Sequence, residues 1–101
     1  MYGSTSGPRH LFHFLRLQDT SYVGVYSGMW VTRPRTVRVT LTDGILYVNG
    51  LLGEKVRLVP HSDTFFLASD GLSYNFGVDR GTVTHVVERH VSGDWKYTRQ
   101  P

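Results

Sequence analysis

The sequence predicts an all-β fold, an antiparallel up-and-down barrel or half-barrel of about eight strands with one N-terminal helix. Short runs rich in valine, threonine, tyrosine and phenylalanine recur at intervals of roughly 8 to 12 residues, as small barrels require. Turn sequences such as Asp43-Gly44 and Asp79-Arg80-Gly81 separate these runs. Because each connection has only a few residues, it is too short for a parallel crossover.

The N-terminal part of the chain differs from the rest in composition. Residues 1–7 (MYGSTSG) are small and polar, and we expect a flexible leader there. From Pro8 to Gln18, three apolar residues recur at i, i+3 and i+4, namely Leu11, Phe14 and Leu15. This spacing predicts a helix whose apolar face packs against one end of the sheet.

Alternation along the remaining chain defines the strands and the core. In Arg35–Thr42, Val37 and Val39 share one face while Thr36 and Arg38 share the other. The predicted strands are Tyr22–Ser27, Arg35–Thr42, Ile45–Asn49, Glu54–Val59, Thr64–Ala68, Ser73–Val78, Thr82–Val91 and Asp94–Arg99. The residues that we expect to be buried are Val37, Val39, Leu41, Val56, Leu58, Phe76 and Val83.

Composition restricts the domain count and the partners. A chain of 101 residues has room for one domain, predicted over residues 8–101. Its net charge of +3 is spread along the chain, so we do not expect nucleic acid as a partner. No apolar run approaches the roughly 18 residues of a spanning helix, so we expect no membrane partner either. The absence of cysteine excludes disulfides and leaves the compartment undetermined.

No pattern in the sequence is typical of a catalytic or metal site. Ser62 lies between His61 and Asp63, but side chains of successive residues in an extended chain diverge. His85 and His90 have opposite parity in one predicted strand, so they would face opposite sides of the sheet. We therefore predict no catalytic residue, no metal ligand and no cofactor, and we expect that the chain is not an enzyme.

A binding site is predicted at the mouth of the barrel, where the helix would meet the strand ends. Its expected lining residues are Tyr26, Trp30, Tyr47 and Tyr74, whose rings and polar groups suit a small ligand. Trp30 is the strongest candidate because it falls in a predicted irregular link, Gly28–Pro34. It is predicted either to plug the barrel as part of the core or to touch a ligand.

The order of these motifs resembles a known family. Tyr22-x-Gly24-x-Tyr26, Asp43-Gly44-x-Leu46, Leu58-x-Pro60-x-Ser62 and Phe76-x-x-Asp79-x-Gly81-x-Val83, ending with Gly93 and Arg99, are similar to the lipocalin-like C-terminal domain of beta-lactamase-related serine hydrolases. The resemblance covers about Leu17 to Arg99. It implies an antiparallel barrel accessory to a hydrolase domain, without catalytic residues of its own.

Three functional hypotheses follow. The first is a non-catalytic accessory or interaction module that acts through a hydrolase domain or another protein partner. The second is a barrel that binds a small apolar ligand, and the third is a cryptic hydrolase. A pocket of roughly 300 Å³ or more would favour the second hypothesis, and an apolar patch beside an exposed sheet edge would favour the first.

Overall fold

The computed structural model of the chain describes residues 18–101. These residues form a closed barrel of eight antiparallel strands in sequence order, and the predicted all-β fold is confirmed. The strands are β1 (Gly24–Trp30), β2 (Arg33–Thr42), β3 (Ile45–Asn49), β4 (Lys55–Pro60), β5 (Phe65–Ala68), β6 (Ser73–Asp79), β7 (Thr82–His90) and β8 (Gly93–Arg99).

A single 3-10 turn, Asp19–Tyr22, precedes β1 in the part of the chain that the structure describes. The predicted leader, 1–7, lies outside the described residues. The predicted helix, Pro8–Gln18, also lies outside them except for Gln18, whose backbone is extended.

The connections between strands fall into two groups at opposite ends of the barrel, because consecutive strands run in opposite directions. One end carries the turns 31–32, 50–54, 69–72 and 91–92, and we call it the Trp end after Trp30 at its rim. The other carries the 3-10 turn and the turns 43–44, 61–64 and 80–81, and we call it the Asp end. The first residue of β1 and the last of β8 both lie at the Asp end.

Pairing of β1 with β8 closes the barrel. Gly28 lies opposite Tyr97 in this pair. A Cβ atom at Gly28 would approach the carbonyl oxygen of Lys96 to 2.5 Å and the Tyr97 ring to 2.9 Å. Because a carbonyl oxygen of the main chain cannot move aside as a flexible side chain would, glycine at this position permits the close approach of the two strands.

Aromatic rings fill the barrel toward the Asp end. The ring centroids of Tyr22, Phe66 and Phe76 lie 5.0 to 5.4 Å apart, mostly edge to face. Tyr26 adds a fourth ring, 5.9 Å from Phe76. Edge-to-face packing at such distances is favourable for aromatic quadrupoles. The interior here is therefore a packed aromatic core.

The predicted core is confirmed at six of its seven positions. Val37, Val39, Val56, Leu58, Phe76 and Val83 are all buried. Leu41 is only partly buried and packs at the margin of the core. It lies near the end of β2, where it pairs with Leu46 one step before the turn at 43–44, so fewer layers of side chains cover it.

A β-bulge in β7 changes which residues face inward. Gly77 pairs with His85, whereas Val78 pairs with Val83, so Thr84 is an extra residue without a partner on β6. An extra residue shifts the alternation by one position. As a result Val83 faces inward before the bulge, and Val86 and Glu88 face inward after it.

The predicted irregular link Gly28–Pro34 is wrong. β1 continues through Trp30 and β2 begins at Arg33, with only Val31 and Thr32 between them. All of β1 pairs with β2, from Gly24 with Val39 to Trp30 with Arg33. This continuous pairing overrides the tendency of Gly28 and Pro34 to interrupt a strand. The turn places Val31 at a φ of 57°, which is rare for a β-branched residue.

Candidate functional site

The carboxylate of Glu88 is fully buried in the barrel, and it lies at the Trp end of the core. Its Oε1 atom accepts hydrogen bonds from Arg35 Nε at 3.1 Å and Tyr97 Oη at 2.9 Å, and lies 2.9 Å from His90 Nε2. Its Oε2 atom accepts from Arg35 Nη2 at 2.7 Å and from Tyr74 Oη at 2.5 Å. These contacts satisfy the acceptor capacity of a carboxylate.

The network around Glu88 joins strands from all around the barrel. Arg35 comes from β2, Tyr74 from β6, and Tyr97 from β8. The guanidinium of Arg35 also donates to the carbonyl oxygen of Asn49 at 3.0 Å and approaches that of Gly50 at 3.5 Å. One buried cation thereby fixes both the carboxylate and the start of the turn 50–54.

Electrostatics keep the Arg35–Glu88 pair ionised. Burial by itself would raise the pKa of Glu88, but hydrogen bonds from Arg35, Tyr74 and His90 outweigh it, and the pKa lies below its ordinary value. Burial would lower the pKa of Arg35, and Glu88 reverses this so that it is raised. Burial, together with the neighbouring carboxylate, raises the pKa of both Tyr74 and Tyr97. None of these four shifts brings the pKa of its group toward neutral pH.

Two tryptophans lie on the inner face between this network and the rim. Trp30 ends β1, and its ring centroid lies 5.8 Å from that of His90, with the planes tilted by 31°. Trp95 lies on β8 beside Glu88 in the β7–β8 pairing. Continuing the β1–β8 register two residues beyond Gly28 and Tyr97 places Trp30 opposite Trp95. Both are partly buried against the core.

The indole nitrogens of Trp30 and Trp95 are buried, and within residues 18–101 neither has a hydrogen-bond partner. A buried indole N–H ordinarily finds an acceptor, because leaving a polar group unpaired costs free energy. Two unpaired donors on adjacent strands at the same end of the barrel are therefore unusual for a protein interior.

Exposed apolar side chains form the rim above these tryptophans. Leu52 is 93% exposed and Val91 is fully exposed at the tips of their turns. Val31 and Met29 are about half exposed in and beside the first turn, and Leu51 precedes Leu52. These residues belong to three turns that are neighbours around the barrel, since β8 pairs with β1. The fourth turn at this end, 69–72, begins with Ser69 and Asp70 instead.

The Asp end has the opposite character. Its turns are built from Asp43-Gly44, His61-Ser62-Asp63 and Arg80-Gly81. Among residues 18–101, four aspartates lie there, Asp19, Asp43, Asp63 and Asp79, against two cations, Arg80 and Arg99, which leaves two negative charges in excess. At the Trp end, three exposed cations balance three acidic residues: Arg33, Lys55 and Arg89 against Glu54, Asp70 and Asp94.

The structure separates the four residues that the sequence predicts as a binding site. Trp30 lies at the Trp end, and Tyr74 lies beneath it in the Glu88 network. Tyr26 lies deeper, where its hydroxyl donates to the carbonyl oxygen of Tyr22 at 2.7 Å and burial raises its pKa to about 12. Tyr47 faces outward, and Lys55 Nζ lies 4.2 Å from its ring centroid.

These four residues therefore do not line one cavity. The expectation that Tyr47 faces inward is wrong, because Leu46 and Val48 take the inner face of β3. The described N-terminal turn also lies at the Asp end, away from Trp30. The helix that was predicted to meet Trp30 lies outside residues 18–101 except for Gln18, so that meeting stays a prediction.

A groove of about 230 Å³ opens at the Asp end between β3 and β4. The two strands pair only from Tyr47 to Asn49 on β3, so Ile45 and Leu46 have no partner on β4. The groove is lined by Asp19, Gly44, Ile45, Leu46, Arg57, Leu58, Pro60 and Phe66. None of the four predicted site residues lines it.

The residues considered for catalysis or metal binding have structural surroundings. The Ser62 hydroxyl oxygen accepts from the backbone N–H groups of Phe65 at 3.0 Å and Thr64 at 3.3 Å, which caps the turn. His85 packs over Gly77 on the outer face, and His90 lies inside, so the predicted opposite orientation is confirmed. Residues 18–101 contain no cluster of three or more potential metal ligands. No helix in that range is long and apolar enough to cross a membrane.

Sequence reasoning missed Glu88, Arg35 and Trp95. Arg35 is two residues before Val37 and four before Val39. Side chains two residues apart in a strand share a face, so the pattern already indicated that Arg35 faces inward. A buried arginine requires a buried carboxylate, but strict alternation from Val83 would turn Glu88 outward. The three-residue step from Val83 to Val86 was the signal of the bulge that turns it inward.

Comparison with known proteins adds no relative: no family model, curated protein or solved structure matches this chain. The resemblance to the lipocalin-like domain of serine hydrolases stays a prediction.

Proposed function

We propose that this chain is a non-catalytic binding module that contacts its partner through the apolar rim of the Trp end. The observation that carries the proposal is the contrast between the two ends of one barrel. The turns of the Asp end have polar tips, whereas three neighbouring turns of the Trp end expose Val31, Leu51, Leu52 and Val91.

The residue types that turns normally require explain why this contrast is informative. Tight turns favour glycine, asparagine, aspartate, serine and proline, which supply positive φ angles or cap the backbone. The Asp end follows that rule, with positive φ angles at Asp43 and Gly44 and at Arg80 and Gly81. At the Trp end Gly53, Gly71 and Gly93 also supply positive φ angles, but Val31 occupies such a position in the turn 31–32, and aliphatic residues at three of the turns project into solvent. A valine at positive φ and exposed aliphatic side chains do not help these turns to fold, so a contact with an apolar partner is a better reason for them.

The buried network supports a binding role because it holds the rim rigid. Arg35 anchors the turn 50–54 through the carbonyl of Asn49, while His90, beside Glu88, immediately precedes Val91. A rigid rim loses little conformational entropy on binding. The same network supports the proposal that the module is not catalytic. Glu88 already has its hydrogen bonds satisfied, and its lowered pKa keeps it ionised, so it is a poor general acid.

The resemblance to an accessory domain supplies one candidate partner, a serine-hydrolase domain. If the chain is an interaction module of this kind, its apolar rim would contact the hydrolase domain.

A second function, binding of a small apolar ligand, is favoured by the groove between β3 and β4. Its apolar walls include Leu46, Leu58 and Phe66, and Arg57 lies at its edge without a salt bridge among the described residues. At about 230 Å³ it suits a small molecule with an apolar body and one anionic group.

Site-directed photocrosslinking in the source cells tests the main proposal. A benzoylphenylalanine replaces Leu52 or Val91 at the Trp end, and Asp43 or Arg80 at the Asp end as matched turn controls. We expect adducts, whether with protein or lipid, at positions 52 and 91 only. Equal labelling at both ends, in variants whose circular dichroism matches the unmodified chain, contradicts the proposal.

The non-catalytic part is tested with the purified chain and chromogenic ester and β-lactam substrates. We expect no turnover above the uncatalysed rate. Turnover that a single substitution abolishes would support the hydrolase hypothesis instead.

A further inference from the structure

We infer that the partner of the Trp end is the surface of a lipid bilayer, into which Val31, Leu51, Leu52 and Val91 insert. This inference rests on the proposed function and names the chemistry of the partner. It concerns a protein that lies on a membrane and enters only its interfacial layer.

The shape of the rim favours a lipid surface over a folded protein. The apolar residues sit at the tips of three separate turns, and Leu52 and Val91 are almost completely exposed. Protein interfaces bury their central residues in closely matched pockets. A bilayer needs no matching pockets, because its fluid acyl chains surround each side chain separately.

The two tryptophans suit the same surroundings. Tryptophan is enriched at the level of the lipid headgroups, where its ring is apolar and its N–H finds an acceptor. Trp30 and Trp95 lie just beneath the apolar tips, and both have buried indole nitrogens without a partner in the described part of the chain. When the tips enter the bilayer, the two tryptophan rings come to the depth of the lipid headgroups.

The charge distribution fixes the orientation. Among residues 18–101 the Asp end carries two negative charges in excess, which an anionic membrane repels, while the acidic and basic residues at the turns of the Trp end are balanced. Exposed cations that flank the rim, Arg33 and Lys55 together with Lys96 on β8, lie within reach of headgroup phosphates. With these few cations and compensating acidic residues, binding is driven mainly by apolar insertion and depends only moderately on salt.

The sequence predicted no membrane partner because no apolar segment is long enough to span a bilayer. Turns that insert a few aliphatic side chains leave no such signal, since the residues are far apart in sequence.

Sedimentation of the full chain with vesicles tests the inference, using phosphatidylcholine alone and phosphatidylcholine with about one-fifth phosphatidylserine. The test variant combines Leu52→Ser and Val91→Ser. The control variant combines Val59→Ser and Val78→Ser, which also removes two exposed aliphatic side chains, at 43% and 39% exposure, but away from the rim. Brominated lipids report the depth of Trp30 and Trp95 through quenching of their fluorescence.

We expect the unmodified chain to bind both vesicles, with its tryptophan fluorescence quenched. The test variant should bind about tenfold more weakly or worse, since two aliphatic side chains no longer leave water. The control variant should bind like the unmodified chain.

Three results would overturn the lipid assignment: no vesicle binding by the unmodified chain, equal loss of binding in both variants, or binding without quenching of tryptophan fluorescence.

The photocrosslinking experiment then separates the two proposals. Protein adducts confined to positions 52 and 91, without vesicle binding, leave the binding module standing and replace the bilayer by a protein. A dimer linked through these positions, seen also by light scattering, identifies a second copy of the chain as the partner. Labelling at both ends overturns the proposed function itself.

Discussion

Arg35 and Glu88 lie 53 positions apart in sequence, and two hydrogen bonds join the guanidinium of the first to the two carboxylate oxygens of the second inside the barrel. The side chains are 8% and 0% exposed. A bidentate pair of this kind fixes orientation as well as distance. The interior of the barrel thus has two parts, an aromatic core toward the Asp end and an ionic network toward the Trp end.

Replacing Arg35 by methionine should destabilise the fold by about 3 to 5 kcal/mol, because Glu88 is left as a buried charge without its cation. Urea unfolding followed by circular dichroism measures the loss. Arg89→Met is the matched control, since Arg89 also pairs with a carboxylate, Asp94, but both side chains are at least half exposed. The control should lose at most about 1 kcal/mol. Equal losses in the two variants would mean that water reaches the Arg35–Glu88 pair.

Acid should weaken the fold through Glu88. Its pKa is lowered in the folded state, so the unfolded chain binds the proton more readily, and stability falls as the pH falls from the ordinary value of 4.5 through the folded pKa. The urea midpoint, measured from pH 7 downward, should show this decrease. The decrease should persist in Asp94→Asn, where an exposed acid is removed, and become smaller in Glu88→Gln. An unchanged acid profile in Glu88→Gln would contradict this origin.

Alkali should weaken the fold through buried tyrosines. Burial raises the pKa of Tyr26 to about 12, and the pKa values of Tyr74 and Tyr97 are raised above their ordinary value of 10.0 as well. The unfolded chain loses these protons first, so stability is complete below pH 10 and declines as the pH rises toward the folded values. Absorbance at 295 nm should show these three hydroxyls ionising together with unfolding. Their ionisation near pH 10 in a folded chain would show that they are accessible to water.

Leu58→Ala should cost about 2 to 5 kcal/mol, the usual range for emptying a buried leucine site. Leu58 is 2% exposed on β4, whereas the next residue, Val59, is 43% exposed and faces outward. Val59→Ala is therefore the control and should cost well under 1 kcal/mol in the same urea series. A reversed order of the two losses would place the wrong face of β4 inside.

Val31→Asn should stabilise the fold by roughly 1 kcal/mol, because asparagine tolerates the positive φ of 57° better than a β-branched residue does. Val91→Asn is a suitable comparison, since Val91 is exposed in a turn of the same end but does not have a positive φ. It should leave the free energy of unfolding nearly unchanged. If Val31 belongs to the contact surface, the first substitution gains stability and loses binding together. A destabilised Val31→Asn variant would mean that the valine is not strained.

The alternation of residues in the strands was sufficient to predict the barrel and most of its core. It failed where the backbone departs from regular pairing. The bulge at Thr84 turns Glu88 inward, and local parity alone does not reveal it. The turn at Val31 lacks the glycine or asparagine that marks a hairpin, so the sequence suggested a loop where β1 runs on to Trp30. The Glu88 network was not predictable in full, because its members come from four strands and meet only when the barrel closes.

The closure of β8 on β1 has a practical consequence for handling the molecule. Gln100 N–H donates to the carbonyl oxygen of Val25 at 2.7 Å, which ties the C-terminal residues to the Asp end. An affinity tag, surface anchor or fusion protein joined by a short linker after Pro101 is therefore attached opposite to Trp30. Chains immobilised in this way would all present the apolar rim outward, with a common orientation toward whatever flows past them.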